Sequence, residues 1–170
     1  ITRSMLAMQL AHIGLGLTVL GITVTASYEV VTDEGMQPGD SREISGYTFH
    51  FDEIRNVEGP NYDGIQGVFT VSRNDKEVTQ LLPEKRVYRV QTSPMTEASI
   101  DDGWSRDLFV ALGERLGNGA WSVRIQYKPM IRFIWFGCLV MALGGLVSIS
   151  DPRYRRRASI ETGSESAVAS

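Results

Sequence analysis

Residues 6–24 read LAMQLAHIGLGLTVLGITV, an apolar stretch that carries one of the chain's two histidines, His12, among several glycines. From Ser4 to Tyr28 there is no Asp, Glu, Lys or Arg, and a second uncharged run extends from Phe133 to Ser150. A helix needs about 20 mainly apolar residues to cross a hydrocarbon core of roughly 30 Å, so the first run has length to spare and the second just suffices. A buried core helix rarely needs so long an uncharged run, and the apolar part of a cleaved signal peptide is shorter. Both runs are therefore read as transmembrane helices.

Charge outside the spans sets the expected orientation. DPRYRRR follows the second span, with Arg153, Arg155, Arg156 and Arg157 against Asp151, and Arg3 precedes the first. Residues 27–130 hold 11 Lys and Arg against 17 Asp and Glu. By the positive-inside rule both ends are cytoplasmic and the middle lies across the membrane, in the periplasm of a bacterium, although Lys128 and Arg132 on the outer flank weigh slightly the other way. The chain divides into a first transmembrane helix at 1–27, a β domain at 28–130, a second transmembrane helix at 131–150 and a basic, then disordered, cytoplasmic tail at 151–170. It begins ITRSM, which reads as the C-terminal piece of a longer membrane protein.

The middle is patterned for strands. In ISGYTFHF, residues 44–51, Tyr47, Phe49 and Phe51 alternate with Thr48 and His50, the period of a strand with one buried face. GIQGVFTVS and EVTQLLP flank the polar turn RNDK, and RVYRVQT follows. DLFVALGERLGNGAWSVRIQY reads as a hairpin bending at Gly117, Asn118 and Gly119, with DLFVALGERL fitting a short helix equally well. The expected fold is an all-β, mainly antiparallel domain, a small barrel or sandwich, attached to two transmembrane α-helices. Its negative balance argues against binding nucleic acid.

Candidate chemistry is sparse. The lone Cys138 permits no intrachain disulfide and reads as a small packing residue. Glu84, Lys85, Arg86, Glu97, Arg106, Asp107 and Glu114 suit an ion-pair lattice or, less simply, a docking face. Trp121, Tyr127 and Trp135 fall around the start of the second span, where an aromatic belt accounts for Tyr127 and Trp135. His50 lies on the polar side of its strand and has neither metal-ligand spacing nor a paired nucleophile.

His12 is different, because an ionisable ring at membrane depth must be neutral and partnered. Ser4, Ala7, Ala11, Gly14, Thr18, Gly21 and Thr25 form a stripe of small residues suited to close helix packing, and His12 lies about 100° round the helix from Ala11. Met8 and Gly16 flank it by one turn. Three uses remain open on residues alone: an interhelical hydrogen bond, a proton relay, or an axial haem ligand with Gly16 leaving space for the macrocycle.

The fragments AHIGLGLTVLGI, GPNYDGIQGVFTV, LPEKRVY, TEASI, DLFVALGE, GAWSVRIQYKPMIRFIWFG and MALGGLVSISDPRYR, in this order, resemble the C-terminal part of the CcmF family of bacterial cytochrome c-type biogenesis proteins, over residues 5 to about 157. The resemblance implies the haem lyase subunit of an inner-membrane machine that takes haem from a periplasmic haem chaperone and helps attach it to apocytochrome c. It also implies a b-type haem between two transmembrane histidines, of which His12 matches the second. The partner histidine and the Trp-rich haem-handling segment belong to the family's upstream region. His50 matches none of the family's ligands, and the piece is not expected to be active alone. The alternative is a non-catalytic, membrane-anchored interaction module in which His12 is only a structural hydrogen-bonding residue.

Overall fold

The computed structural model describes residues 2–90, 93–117 and 119–150. The basic segment after the second span, the tail and Asn118 lie outside the described residues. The chain forms helix α1 (Arg3–Tyr28), ten strands and helix α2 (Ile131–Ile149). The strands are β1 (Val30–Met36), β2 (Ser41–Ile44), β3 (Tyr47–Glu58), β4 (Tyr62–Arg73), β5 (Lys76–Leu81), β6 (Glu84–Tyr88), β7 (Pro94–Glu97), β8 (Ser99–Asp102), β9 (Arg106–Arg115) and β10 (Trp121–Pro129). Two compact units result, one holding α1 as far as Thr23 together with α2 from Arg132, the other running from Val24 to Ile131.

The second unit is an antiparallel β-sandwich. One sheet has the order β1-β10-β9-β8, and the other β2-β3-β4-β6-β7 with β5 also paired to β4. Period-two patterning sets which side chains face inward. Tyr47, Phe49 and Phe51 are buried from β3, Phe69 and Val71 from β4, Leu108, Val110 and Leu112 from β9, and Val123 and Ile125 from β10. Leu108, Val110 and Leu112 decide the DLFVALGERL question: their alternation makes a strand whose inward face fills the core, where a helix would have scattered them. Phe51 and Phe69 stack at 4.4 Å between centroids, with planes 8° apart.

Two-residue turns fix the sheet register. Ser45 and Gly46 join β2 to β3 with φ of 51° and 75°, and Asn74 and Asp75 of the RNDK turn join β4 to β5 with φ of 51° and 59°. These left-handed values match the twist of the flanking strands. Between Phe51 and Glu53 the β3–β4 register shifts, leaving Asp52 as the extra residue of a bulge. Trp121 lies at the far end of β10 from Pro129, opposite Met36, and packs against the core. Tyr127 also packs on the core, its ring 6.0 Å from that of Tyr47.

In the first unit, α1 and α2 are each long and apolar enough to cross a membrane. At about 1.5 Å per residue they measure roughly 39 and 28 Å. Their contact uses the stripe of small residues. A Cβ on Gly14 would lie 2.6 Å from the Gly137 carbonyl oxygen, one on Gly137 would lie 2.3 Å from Thr18 Oγ1, and one on Gly144 would lie 2.9 Å from the Ala7 carbonyl oxygen. Close backbone approach of this kind replaces the hydrophobic effect as the source of helix association in lipid. Cys138, one position beyond Gly137 and so about 100° round α2, is exposed and does not pack against α1.

Truncation of Phe51, fully buried and stacked on Phe69, is expected to destabilise the sandwich by about 3–5 kcal/mol. Urea unfolding of Phe51→Ala against wild type, followed by tryptophan fluorescence, checks this; a loss below about 1 kcal/mol would contradict a packed two-sheet core.

Candidate functional site

His12 occupies the tenth position of α1. At 100° per residue it lies about 200° from Gly14, nearly opposite the face that meets α2, and within about 40° of Met8 and Gly16. The structure leaves this face open. His12 is exposed, Met8 is exposed, and nothing lies within 4 Å of where a Gly16 side chain would begin.

The ring is oriented from within its own helix. His12 Nδ1 lies 2.8 Å from the Met8 carbonyl oxygen. A carbonyl can only accept, so Nδ1 carries the proton and donates, which places the lone pair of a neutral imidazole on Nε2. Metal-bound histidines are commonly held this way, with one ring nitrogen donating to a carbonyl and the other directed to the metal. Helix α1 thus presents a fixed tautomer beside a residue that adds no bulk.

His50 is placed by strand register instead. Ser41 and His50 are directly opposed on β2 and β3, and Ser41 Oγ lies 2.8 Å from His50 Nδ1. His50 Nε2 is 3.7 Å from Asp52 Oδ1, and Thr70 Oγ1 donates to Asp52 Oδ2 at 2.7 Å. Sequence spacing could not show this chain, because Ser41 and Thr70 join it only through pairing across three strands and the bulge at Asp52. It lies on the half-exposed outer face of the sheet, with Asp52 already held by Thr70. Among the described residues no group of three or more His, Cys, Asp or Glu could hold a metal ion.

The charged residues singled out by sequence form a lattice. Lys85 of β6 pairs with Glu114 of β9, linking the two sheets, and Arg106 pairs with Asp101. Arg86 donates to Glu84 at 2.7 Å, lies 3.9 Å from Glu97 and has its guanidinium 4.6 Å from the Tyr62 ring centroid. The hydrogen bonds to Glu84 and Tyr88 hold Arg86 above the ordinary arginine range. Lys85 and Arg86 are thereby committed to neighbours within the sandwich, which favours the lattice over a free docking face.

Fold and site together define a protein class: a β-sandwich carried between two apolar helices, the first of which displays an open histidine face. Residues 27–129 match the family described as CcmF C-terminal beta-sandwich. The chain is 52% identical over 155 residues to the cytochrome c-type biogenesis protein CcmF of Pseudomonas aeruginosa, covering 91% of this chain and 24% of that protein. It is 48% identical over 167 residues to the Escherichia coli protein of the same name, covering 98% and 26%. A solved structure of a protein named cytochrome c heme lyase CcmF superposes with a TM-score of 0.69 at 16% identity, over 88% of this chain and 25% of that one, and shows the same fold. The chain belongs to the CcmF family, and spans about a quarter of the length of these relatives.

Across β1 and β10, Arg124 Nε and one terminal nitrogen donate to the two oxygens of Asp33 at 2.7 and 2.8 Å. These bonds hold the Asp33 carboxyl below the usual aspartate range. A lowered folded value means the pair contributes above the unfolded aspartate pKa, and its contribution fades as pH falls through the lowered value. Arg124→Gln should return Asp33 to ordinary titration, as read from its carboxyl 13C shift against pH; an unchanged titration would contradict the pairing.

Proposed function

We propose that this chain is the C-terminal portion of an inner-membrane cytochrome c haem lyase subunit, and that His12 is one axial ligand of a b-type haem within the membrane. The observation that carries the reading is the His12 geometry. Nδ1 is committed to the Met8 carbonyl, Nε2 is left with its lone pair on an open helix face, and Gly16 one turn on adds no side chain. In a protein of the CcmF family that arrangement fits a haem ligand better than an interhelical bond, since the hydrogen bond His12 makes stays within its own helix.

The chain's residues divide the work. Gly14, Thr18 and Gly21 hold α1 against α2, so that His12 faces away from that contact. Met8 fixes the tautomer through its carbonyl. When bound, a haem supplies a one-electron iron couple whose potential depends on its axial ligands and burial. The second ligand comes from a helix upstream of this segment.

The sandwich then lies in the periplasm between two membrane crossings, with both flanking ends cytoplasmic, as the charge distribution favours. It serves as the face toward the other cytochrome c maturation subunits, the haem chaperone and apocytochrome c. The division of labour follows the segments 1–27, 28–130, 131–150 and 151–170. The lyase activity belongs to the intact protein.

In the full-length protein, His12→Ala is expected to remove most of the reduced b-haem absorbance while leaving membrane insertion and protein level unchanged. An unaltered spectrum at equal protein level would overturn the ligand assignment and leave His12 as a structural residue of an anchored interaction module.

A further inference from the structure

The end of the sandwich where the chain arrives from α1 and leaves for α2 holds a cavity of about 620 Å³, lined wholly by residues of the sandwich unit. Its polar wall is built on Tyr47. Arg73 and Arg106 both lie over the Tyr47 ring, their guanidinium carbons 4.9 and 5.3 Å from its centroid. Both also donate to its hydroxyl oxygen, at 3.2 and 3.3 Å. Two cations therefore converge on one phenol oxygen, and a phenol O–H can donate as well as accept.

Charge at this wall is not balanced. Asp101 pairs with Arg106, and Glu29 on the rim is taken by Lys128 at 3.3 Å. Arg73 is exposed and has no carboxylate partner among the described residues. Burial works against the charge of Arg106, but the hydrogen bonds to Tyr47 and Asp101 outweigh it and hold its pKa above the ordinary range. An arginine guanidinium is a permanent cation in proteins. An arginine fork with spare N–H groups beside a phenol proton is suited to a phosphate, which accepts bidentate, charge-assisted bonds.

The lining also has an apolar part, where the spans end. Val24 and Tyr28 come from the last turns of α1, and Met130 directly precedes α2. Thr25 Oγ1 donates to the Pro129 carbonyl at 2.7 Å, joining the two chain passages, while Met130, at a left-handed φ of 55°, donates its N–H to the Ser105 carbonyl at 2.8 Å. Residues that close a bilayer span sit at headgroup level. We propose that this cavity holds the phosphate of a phospholipid headgroup, bound by Arg73 and oriented by Tyr47 and Arg106, with the lipid glycerol against the apolar part of the lining. The inference rests on the reading that α1 and α2 cross a membrane.

The test uses the full-length protein in a neutral detergent and native mass spectrometry, with three probes: dihexanoyl phosphatidylglycerol, inorganic phosphate and phosphate-free dihexanoylglycerol. Wild type should form a 1:1 adduct with the phospholipid. Arg73→Gln should weaken it about tenfold or more, Arg73→Lys should retain part of it, and Arg89→Gln, which removes a surface arginine paired to Asp63, should leave it unchanged. Equal phospholipid binding by wild type and Arg73→Gln would overturn the proposal. So would inorganic phosphate, or the phosphate-free lipid, binding as tightly as the phospholipid. Alkaline carbonate extraction separates the two readings: release of the protein from membranes defeats the spanning helices, whereas retained protein with no dependence on Arg73 defeats the lipid site alone.

Discussion

Where α1 meets α2, the backbones come so close that a single added carbon at Gly14 would overlap the Gly137 carbonyl, and one at Gly137 would overlap Thr18. That steric constraint fixes the rotation of α1 about its own axis. In a bilayer no hydrophobic effect would drive the helices together, and the van der Waals contact of bare backbones would hold the pair. Once the glycine face is committed, the face about 200° away is committed too, and His12 stands on it. The packing residues and the candidate ligand are thus two consequences of one helical register.

The sandwich shows the same economy in strand form. Alternation places Phe49, Phe51, Phe69, Leu108, Val110 and Leu112 inward, and the same alternation lines charged and polar groups along the outside. Opposed pairs such as Ser41 with His50 and Asp33 with Arg124 arise because antiparallel register sets them side by side. Lys85 with Glu114 goes further, tying one sheet to the other over the hydrophobic interior. Such exposed pairs add little stability individually, and their stronger effect is to fix which neighbours the charges face.

Much of this was legible in the sequence, because long uncharged runs and period-two apolar alternation are local signals. The stripe from Ala7 to Gly21 predicted a packing face, and the two glycine-rich spans supply it to each other. DLFVALGERL was ambiguous until the second sheet's face was present to select Leu108, Val110 and Leu112. Trp121 was misplaced because proximity in sequence to Pro129 says nothing about which end of a strand a residue occupies. The Arg73–Tyr47–Arg106 cluster was invisible for a related reason: its members are contributed by β3, β4 and β9, and the RNDK turn gave no sign that Arg73 folds back over a phenol ring. The His12 tautomer likewise needed coordinates, since only the distance to the Met8 carbonyl shows which nitrogen donates.

The central claim is that α1 presents His12 Nε2 to an iron from a face that plays no part in helix packing. Replacing the side chain by a cavity and supplying the lost ring from solution tests this directly. In full-length His12→Gly protein, the reduced haem spectrum should be absent and should return toward wild type as free imidazole is added. A wild-type spectrum in His12→Gly without imidazole would contradict the account.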